Sequence, residues 1–388
     1  MPDGAQITRE LDRDAVAALS RAGQPEHAPE ERKRSLARNG RGAVTNPGVR
    51  YDRQVAEACD DGWSWLTESD EPPPLQTTLH RDATKTAIAW NDSPDLGFDR
   101  AVNPYRGCEH GCIYCYARPS HAYLGYSPGL EFETQIVYKP DVAVLLEREL
   151  SKPGYQPRTL ALGSNTDPYQ PVERTMRLTR SVLEVLDRFS HPVAIVTKSA
   201  GVLRDLDVLQ RLASRGLVRV CLSLTTLDPA LARRMEPRAS SPPLRLRAIE
   251  TLTKAGVPAG VLAAPMIPGL NDMELESLLE AAHKAGARSG GYVLLRLPHE
   301  LRDMFTAWLE QHVPDRARRV LALIRETRAG KLNDSRFHDR FRGSGAYADL
   351  LRQRFDRISR KLGLDERTPL DATQFRPPAA REAQLSLF

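Results

Sequence analysis

Asn103-Pro104-Tyr105-Arg106-Gly107-Cys108-Glu109-His110-Gly111-Cys112-Ile113-Tyr114-Cys115-Tyr116-Ala117-Arg118 is the stretch on which the reading of this chain turns. It sets Cys108, Cys112 and Cys115 in a C-x3-C-x2-C array, so three of the five cysteines share one short loop. Three thiols this close point to a metal centre. Structural zinc takes four nitrogen or sulfur ligands, commonly as paired C-x2-C hooks from two parts of a chain. Here the other cysteines, Cys59 and Cys221, stand alone. A 4Fe-4S cluster is ordinarily held by four cysteines, so three would leave one iron for a ligand that is not protein. The same residues also allow a Cys3His zinc site closed by His110, inside the loop, or by His121. A disulfide is disfavoured: the chain opens Met1-Pro2-Asp3-Gly4-Ala5-Gln6 with no apolar leader, which predicts a cytoplasmic protein with reduced thiols.

Working outward, the 388 residues, 41% of them hydrophobic, suffice for one large core with appendages. The longest apolar run, 259–267, is too short to cross a bilayer and contains Pro265, so no membrane role is expected. The net charge of +5 is unevenly spread, with 17 Lys or Arg against 11 Asp or Glu over 296–367. That excess favours a polyanionic partner, although solvated helix faces give the same count.

Four segments are expected. Residues 1–99 are polar, with Pro72-Pro73-Pro74 and little apolar periodicity, and read as a partly flexible extension. Residues 100–298 alternate short β-branched runs with helical stretches, the mark of an α/β domain with a parallel sheet. Strands are predicted at 101–105, 159–162, 193–197, 218–224, 260–264 and 292–297, enough for a partial barrel. Between them, Leu178, Val182, Leu186 and Phe189, and then Leu203, Leu206, Leu209 and Leu212, recur at helical spacing as core faces. Residues 299–366 read as helical, around 301–312, 316–329 and 346–362, and 367–388 as a flexible tail. No GxGxxG or Walker loop occurs.

In such a barrel, reactive groups sit on loops after the C-terminal ends of the strands. The cysteine loop follows the first strand. The second is followed by Gly163-Ser164-Asn165-Thr166-Asp167-Pro168-Tyr169-Gln170-Pro171-Val172-Glu173-Arg174, and the third by Lys198-Ser199. Ser223, Thr225 and Thr226, then Glu236-Pro237-Arg238, belong to the fourth, and Pro265-Met266-Ile267-Pro268-Gly269-Leu270-Asn271-Asp272 to the fifth. Each run alone could be a capped turn. Five at one end of a barrel read as a ligand pocket.

The C-x3-C-x2-C array with Tyr114 before its last cysteine resembles the radical S-adenosylmethionine (SAM) superfamily. Asn103-Pro104-Tyr105, Thr166-Asp167-Pro168-Tyr169-Gln170-Pro171 with Glu173, Thr197-Lys198-Ser199 and Glu236-Pro237-Arg238 are similar to the group around spore photoproduct lyase, over about 100–300. The resemblance implies a partial (β/α)6 TIM-type barrel, a 4Fe-4S cluster on Cys108, Cys112 and Cys115, and S-adenosylmethionine on the open iron. It also implies an electron donor such as flavodoxin or ferredoxin, and a 5′-deoxyadenosyl radical that abstracts hydrogen from substrate. By the same likeness Tyr114, Ser164, Asn165, Asp167 and Ser223 lie near the cofactor, and Lys198 and Ser199 reach its carboxylate or ribose. Spore photoproduct lyase uses a hydrogen-donating cysteine near the end of its second strand, where this chain has Ser164-Asn165-Thr166-Asp167. Cys221, within the fourth strand, reads as a buried structural cysteine rather than a replacement donor.

The substrate clue is Gln384-Leu385-Ser386-Leu387-Phe388, which resembles the pentapeptide that binds the bacterial sliding clamp. With the basic helical region it points to DNA repair or DNA base modification recruited by the clamp. Two alternatives stay open: a radical SAM enzyme that modifies RNA, protein or a small molecule, and a clamp-associated DNA-binding module with structural zinc.

Overall fold

Short runs of aliphatic and β-branched residues, each succeeded by a helix, form the centre of the molecule. The computed structural model describes residues 40–51, 75–365 and 369–377. Its strands are β1 (Thr78–Arg81), β2 (Ile88–Trp90), β3 (Arg100–Val102), β4 (Tyr105–Arg106), β5 (Gln135–Tyr138), β6 (Leu160–Leu162), β7 (Val193–Thr197), β8 (Val218–Ser223), β9 (Ala259–Met266) and β10 (Ser289–Leu294). The main sheet has the order β10-β9-β8-β7-β6-β3-β2. Every pairing from β3 to β10 is parallel, and β2 closes the edge antiparallel. Six parallel strands with helical crossovers make the partial (β/α)6 barrel expected from the sequence.

The first predicted strand is two strands in different sheets. Asn103-Pro104 divides it, because Pro104 has no N–H for a ladder and restricts the residue before it. Beyond the break, Tyr105 and Arg106 pair with Tyr138 and Val137, in a second sheet of order β1-β5-β4. The sixth strand begins and ends earlier than predicted. Its register with β9 shifts between Tyr292 and Leu294, and the chain leaves the ladder after Leu295 donates to the Met266 carbonyl at 3.0 Å.

Helices α1 (Val142–Leu150), α2 (Leu178–Arg188), α3 (Leu206–Ala213), α4 (Pro229–Met235), α5 (Pro242–Lys254) and α6 (Leu275–Lys284) lie between strands. On α2 the predicted Leu178, Val182 and Leu186 are buried, and Phe189 is buried just beyond it. On α3 Leu209 and Leu212 are buried, whereas Leu203 and Leu206 are only partly covered. Each fully buried aliphatic side chain stabilises the fold by roughly 2 kcal/mol.

The C-terminal helices are α7 (Leu301–His312), α8 (Pro314–Glu326) and α9 (Ala346–Leu362). With Ala43, Val44 and Ile113, α7 and α8 build a second apolar core around Phe305, Trp308 and Val320. Ile113 lies between two of the three thiols, so this core anchors the cysteine loop. Among the described residues no helix is long and apolar enough to cross a membrane.

Candidate cofactor site

The cysteine loop leaves β4 and is shaped by Gly107 and Gly111, both at positive φ (78° and 68°). Cys108 N–H donates to the Phe132 carbonyl at 2.9 Å, and Ile113 N–H to the Met235 carbonyl at 3.0 Å. Inside the loop Cys115 N–H donates to the Cys112 carbonyl at 3.2 Å. Beneath it lies Arg118, fully buried, whose Nε donates to the Cys112 carbonyl at 2.9 Å and whose Nη1 donates to the Gly129 carbonyl at 2.8 Å. Its charge is met by Glu133, also fully buried, which in addition accepts the Gly42 and Ala43 N–H groups at 3.0 and 2.8 Å. A buried pair of this kind is weak evidence for stability but strongly resists loss of one partner. It holds the loop to residues 41–43 from outside the barrel.

Cys108 and Cys112 are buried and Cys115 is half-buried. Burial pushes the Cys108 thiol well up, and Asp167 and the two other sulfurs push it the same way. Burial likewise raises the Cys112 thiol, against which the Lys198 cation works. Two such buried thiols become thiolates only when a metal compensates the charge. Among the described residues no three His, Cys, Asp or Glu side chains converge as one metal ion requires. A cluster suits the array better, because each thiolate then binds a different iron. The two histidines of the zinc alternative have other neighbours. His110 Nδ1 lies 3.3 Å from Asp167 Oδ2, and the His121 ring packs on Phe132 and Tyr126.

Around the thiols stand the ends of β6, β7 and β8. Asp167 accepts from the Thr197 hydroxyl and the Lys198 N–H, each at 2.7 Å, and from the Tyr169 N–H at 2.9 Å. Burial works to raise its carboxyl, but His110 and these donors hold it well below the ordinary carboxylate range. Asp167 thus ties the second strand end to the third and to the cysteine loop. Ser164 and Asn165 are latched to Asn103, Ser164 Oγ accepting from Asn103 Nδ2 at 3.4 Å and Asn165 N–H donating to Asn103 Oδ1 at 3.1 Å. Ser199 Oγ caps the following turn by accepting the Gly201 N–H at 3.1 Å. Lys198 Nζ sits 5.7 Å from the centre of the Tyr114 ring. Among the described residues it makes no hydrogen bond or ion pair.

Tyr114 is buried, and its hydroxyl donates to Glu236, which also accepts from Thr225 at 2.6 Å and pairs with Arg245. Arg245 Nη1 donates to the Ser223 carbonyl at 2.9 Å, which fixes the end of β8. Cys221 shares a strand face with Ser223, two residues on. The structure therefore gathers the three cysteines, Tyr114, Ser164, Asn165, Asp167, Lys198, Ser199 and Ser223 at one end of the sheet. Cys59 lies outside the described residues.

Sequence reasoning named Gln170 and Glu236 only as members of strand-end runs read together as a ligand pocket, whereas the structure uses both as braces. Gln170, fully buried, accepts the Glu109 N–H at 2.9 Å and donates to the Gly107 carbonyl at 3.2 Å, bracing the cysteine loop from the second strand end. Membership of a strand-end run flagged both but could not give the bracing role. Their partners are in other loops, which the sequence does not pair.

A family model described as the Radical SAM superfamily matches residues 102–282. An uncharacterized protein of Mycobacterium tuberculosis (strain H37Rv) is 38% identical over 253 residues, 64% of this chain and 74% of that protein. An uncharacterized protein of Methanocaldococcus jannaschii is 30% identical over 178 residues, 46% of this chain and 64% of that one. Among solved structures, spore photoproduct lyase complexed with dinucleoside spore photoproduct shares the fold with a TM-score of 0.53. The identity is 18%, and the match covers 73% of this chain and 79% of that one.

Proposed function

The chain belongs to the radical SAM superfamily, and from that premise we propose that it abstracts hydrogen from a nucleic-acid substrate, DNA, in repair or base modification. As a member it is an enzyme that uses a 4Fe-4S cluster and S-adenosylmethionine, which together supply reductive cleavage and radical hydrogen abstraction. We assign the cluster to Cys108, Cys112 and Cys115. The observation that carries this is the placement of three closely spaced thiols, two of them buried, beside Lys198 at the C-terminal end of the parallel strands.

The remaining residues bind, orient and shield. Among the described residues the Lys198 ammonium makes no hydrogen bond or ion pair, and we assign it to the cofactor carboxylate. Ser164, Asn165, Ser199 and Ser223 contribute polar groups around it. Asp167 acts as a positioning residue, since its carboxylate is already engaged by Thr197, Lys198 and Tyr169. Tyr114 holds the loop against Glu236 and gives Lys198 an aromatic face. The second core keeps water from the Ile113 side of the loop.

DNA as the substrate is supported by the basic balance of 296–367 and by the fold shared with a lyase crystallised with a dinucleoside. Recruitment by the sliding clamp through Gln384, Leu385, Ser386, Leu387 and Phe388 belongs to the same proposal. The missing cysteine in 164–167 separates the chemistry from the route that spore photoproduct lyase takes.

Anaerobic reconstitution tests the assignment: about four irons and four sulfides per chain are expected, lost in Cys108→Ala, Cys112→Ala or Cys115→Ala and kept in Cys221→Ala. Stoichiometric zinc without a brown chromophore would sink it. Incubation with reductant, S-adenosylmethionine and irradiated or alkylated DNA, read by mass spectrometry, tests the substrate. An altered base together with 5′-deoxyadenosine supports DNA, and turnover of RNA, peptide or small molecules alone refutes it.

A further inference from the structure

Arg296 follows the last barrel strand, at the same end of the sheet as the thiols. Its guanidinium lies 5.8 Å from the centre of the Tyr116 ring, which directly follows Cys115, and 4.8 Å from that of Phe341. The Tyr116 hydroxyl donates to the Ser164 carbonyl, so Arg296 borders the polar strand ends already described. Among the described residues Arg296 makes no hydrogen bond and no ion pair, and its Nε is buried without a partner. The nearby carboxylate is occupied: Asp95 pairs with Arg340 at 2.6 Å and accepts the His338 N–H at 2.7 Å.

The surroundings add positive charge. Arg340 stacks on Phe341 at 4.9 Å and on the half-exposed Phe337 at 4.7 Å. Arg328 is buried, and among the described residues its side chain donates only to carbonyls, at Leu294, Leu295 and Asp339. A planar cation left unpaired among other cations is unfavourable until an anion arrives. The guanidinium fork matches a phosphate, and the Tyr116 and Phe341 rings beside it hold the fork in place. An enzyme acting on a base must take that nucleotide out of the duplex, which brings its flanking phosphates to the pocket mouth.

We propose that Arg296, framed by Tyr116 and Phe341, binds a backbone phosphate of the nucleotide presented to the cofactor. The proposal rests on the nucleic-acid reading above and assigns the residue that positions such a substrate.

The test uses reconstituted full-length protein and a fluorescent single-stranded oligonucleotide titrated at several salt concentrations, with Arg296→Gln and Arg296→Lys as variants. Iron content and circular dichroism serve as folding controls. Arg296→Gln should weaken binding about tenfold and lower the salt slope by about 0.7, the loss of one phosphate contact on a single strand. Arg296→Lys should keep the slope, since the charge remains, and lose part of the affinity, since the fork does not. Wild-type binding with an unchanged Arg296→Gln affinity and slope overturns the proposal and leaves the nucleic-acid reading standing. So does a loss confined to S-adenosylmethionine binding, which would place Arg296 in the cofactor pocket. Failure of the wild type to bind the oligonucleotide at low salt removes the nucleic-acid reading and this proposal with it.

Discussion

At the residue scale, the cofactor site rests on side chains whose states are fixed by neighbours, and the same logic reaches a histidine far from it. His191 is fully buried: its Nδ1 lies 3.0 Å from the Pro192 carbonyl and its Nε2 2.9 Å from the Tyr155 hydroxyl. The carbonyl can only accept, so Nδ1 carries the proton and Nε2 receives one from tyrosine, a neutral ring. Burial lowers its pKa from 6.5 to about 4, with the Pro192 carbonyl working against and Arg100 adding to the shift. The sign follows from linkage: between these values the unfolded chain binds a proton that the folded chain refuses, so stability falls with decreasing pH. The loss approaches roughly 3 kcal/mol by pH 4. His191→Phe should shrink the difference between urea midpoints at pH 7 and pH 4.5. An equal difference in variant and wild type would assign the acid sensitivity elsewhere. The sequence gives no sign of this residue's state, since Tyr155 lies 36 positions away.

At the scale of elements, the barrel strands were legible because short, mostly aliphatic runs of three to eight residues alternate with helical spacing. The cysteine loop and polar strand ends stood out because the thiols are closely spaced and several polar runs follow predicted strands. Strands β1, β2, β4 and β5, each of two to four residues, were not, because they exist through pairing with distant partners rather than through a pattern of their own. The segment around Gly42 was hidden for the same reason, its anchor Glu133 being 91 positions away. Read as part of a polar extension, it crosses the cysteine loop so closely that a Cβ on Gly42 would stand 1.7 Å from the Gly111 carbonyl oxygen. The oxygen belongs to backbone and a Cβ is fixed rigidly to its own Cα, so neither can swing aside. Gly42→Ala should therefore cost about 1–3 kcal/mol and lower iron occupancy after reconstitution, because the displaced segment takes Glu133 and Arg118 with it. Wild-type iron content and urea midpoint in the variant would mean that the segment does not brace the loop.

At the scale of the whole molecule, the α/β barrel presents its thiols at one end, where the apolar core built by α7 and α8 anchors the cysteine loop, and the sequence of 296–367 carries an excess of basic residues. Charge of this kind steers a polyanion towards a surface but selects no site on it, and its effect fades with salt. Selecting a replication site calls for a separate contact, which we assign to Gln384, Leu385, Ser386, Leu387 and Phe388, outside the described residues. Leu387 and Phe388 supply apolar anchors for a groove, and Gln384 a polar group to set register. A pentapeptide buries little area and is ordered on binding, so the affinity should be micromolar, roughly 7 to 8 kcal/mol. Weak binding suffices: once tethered, the barrel meets DNA at a raised effective concentration without a large interface of its own. Deleting 384–388 should abolish binding to the sliding clamp in a fluorescence-polarisation assay while leaving iron content unchanged, since no residue of the site lies in that segment. If full-length protein shows no binding at about 50 μM clamp, well above the expected range, or the truncated protein binds as well, recruitment by the clamp is refuted. The DNA reading would then stand on the basic balance of 296–367 and on Arg296.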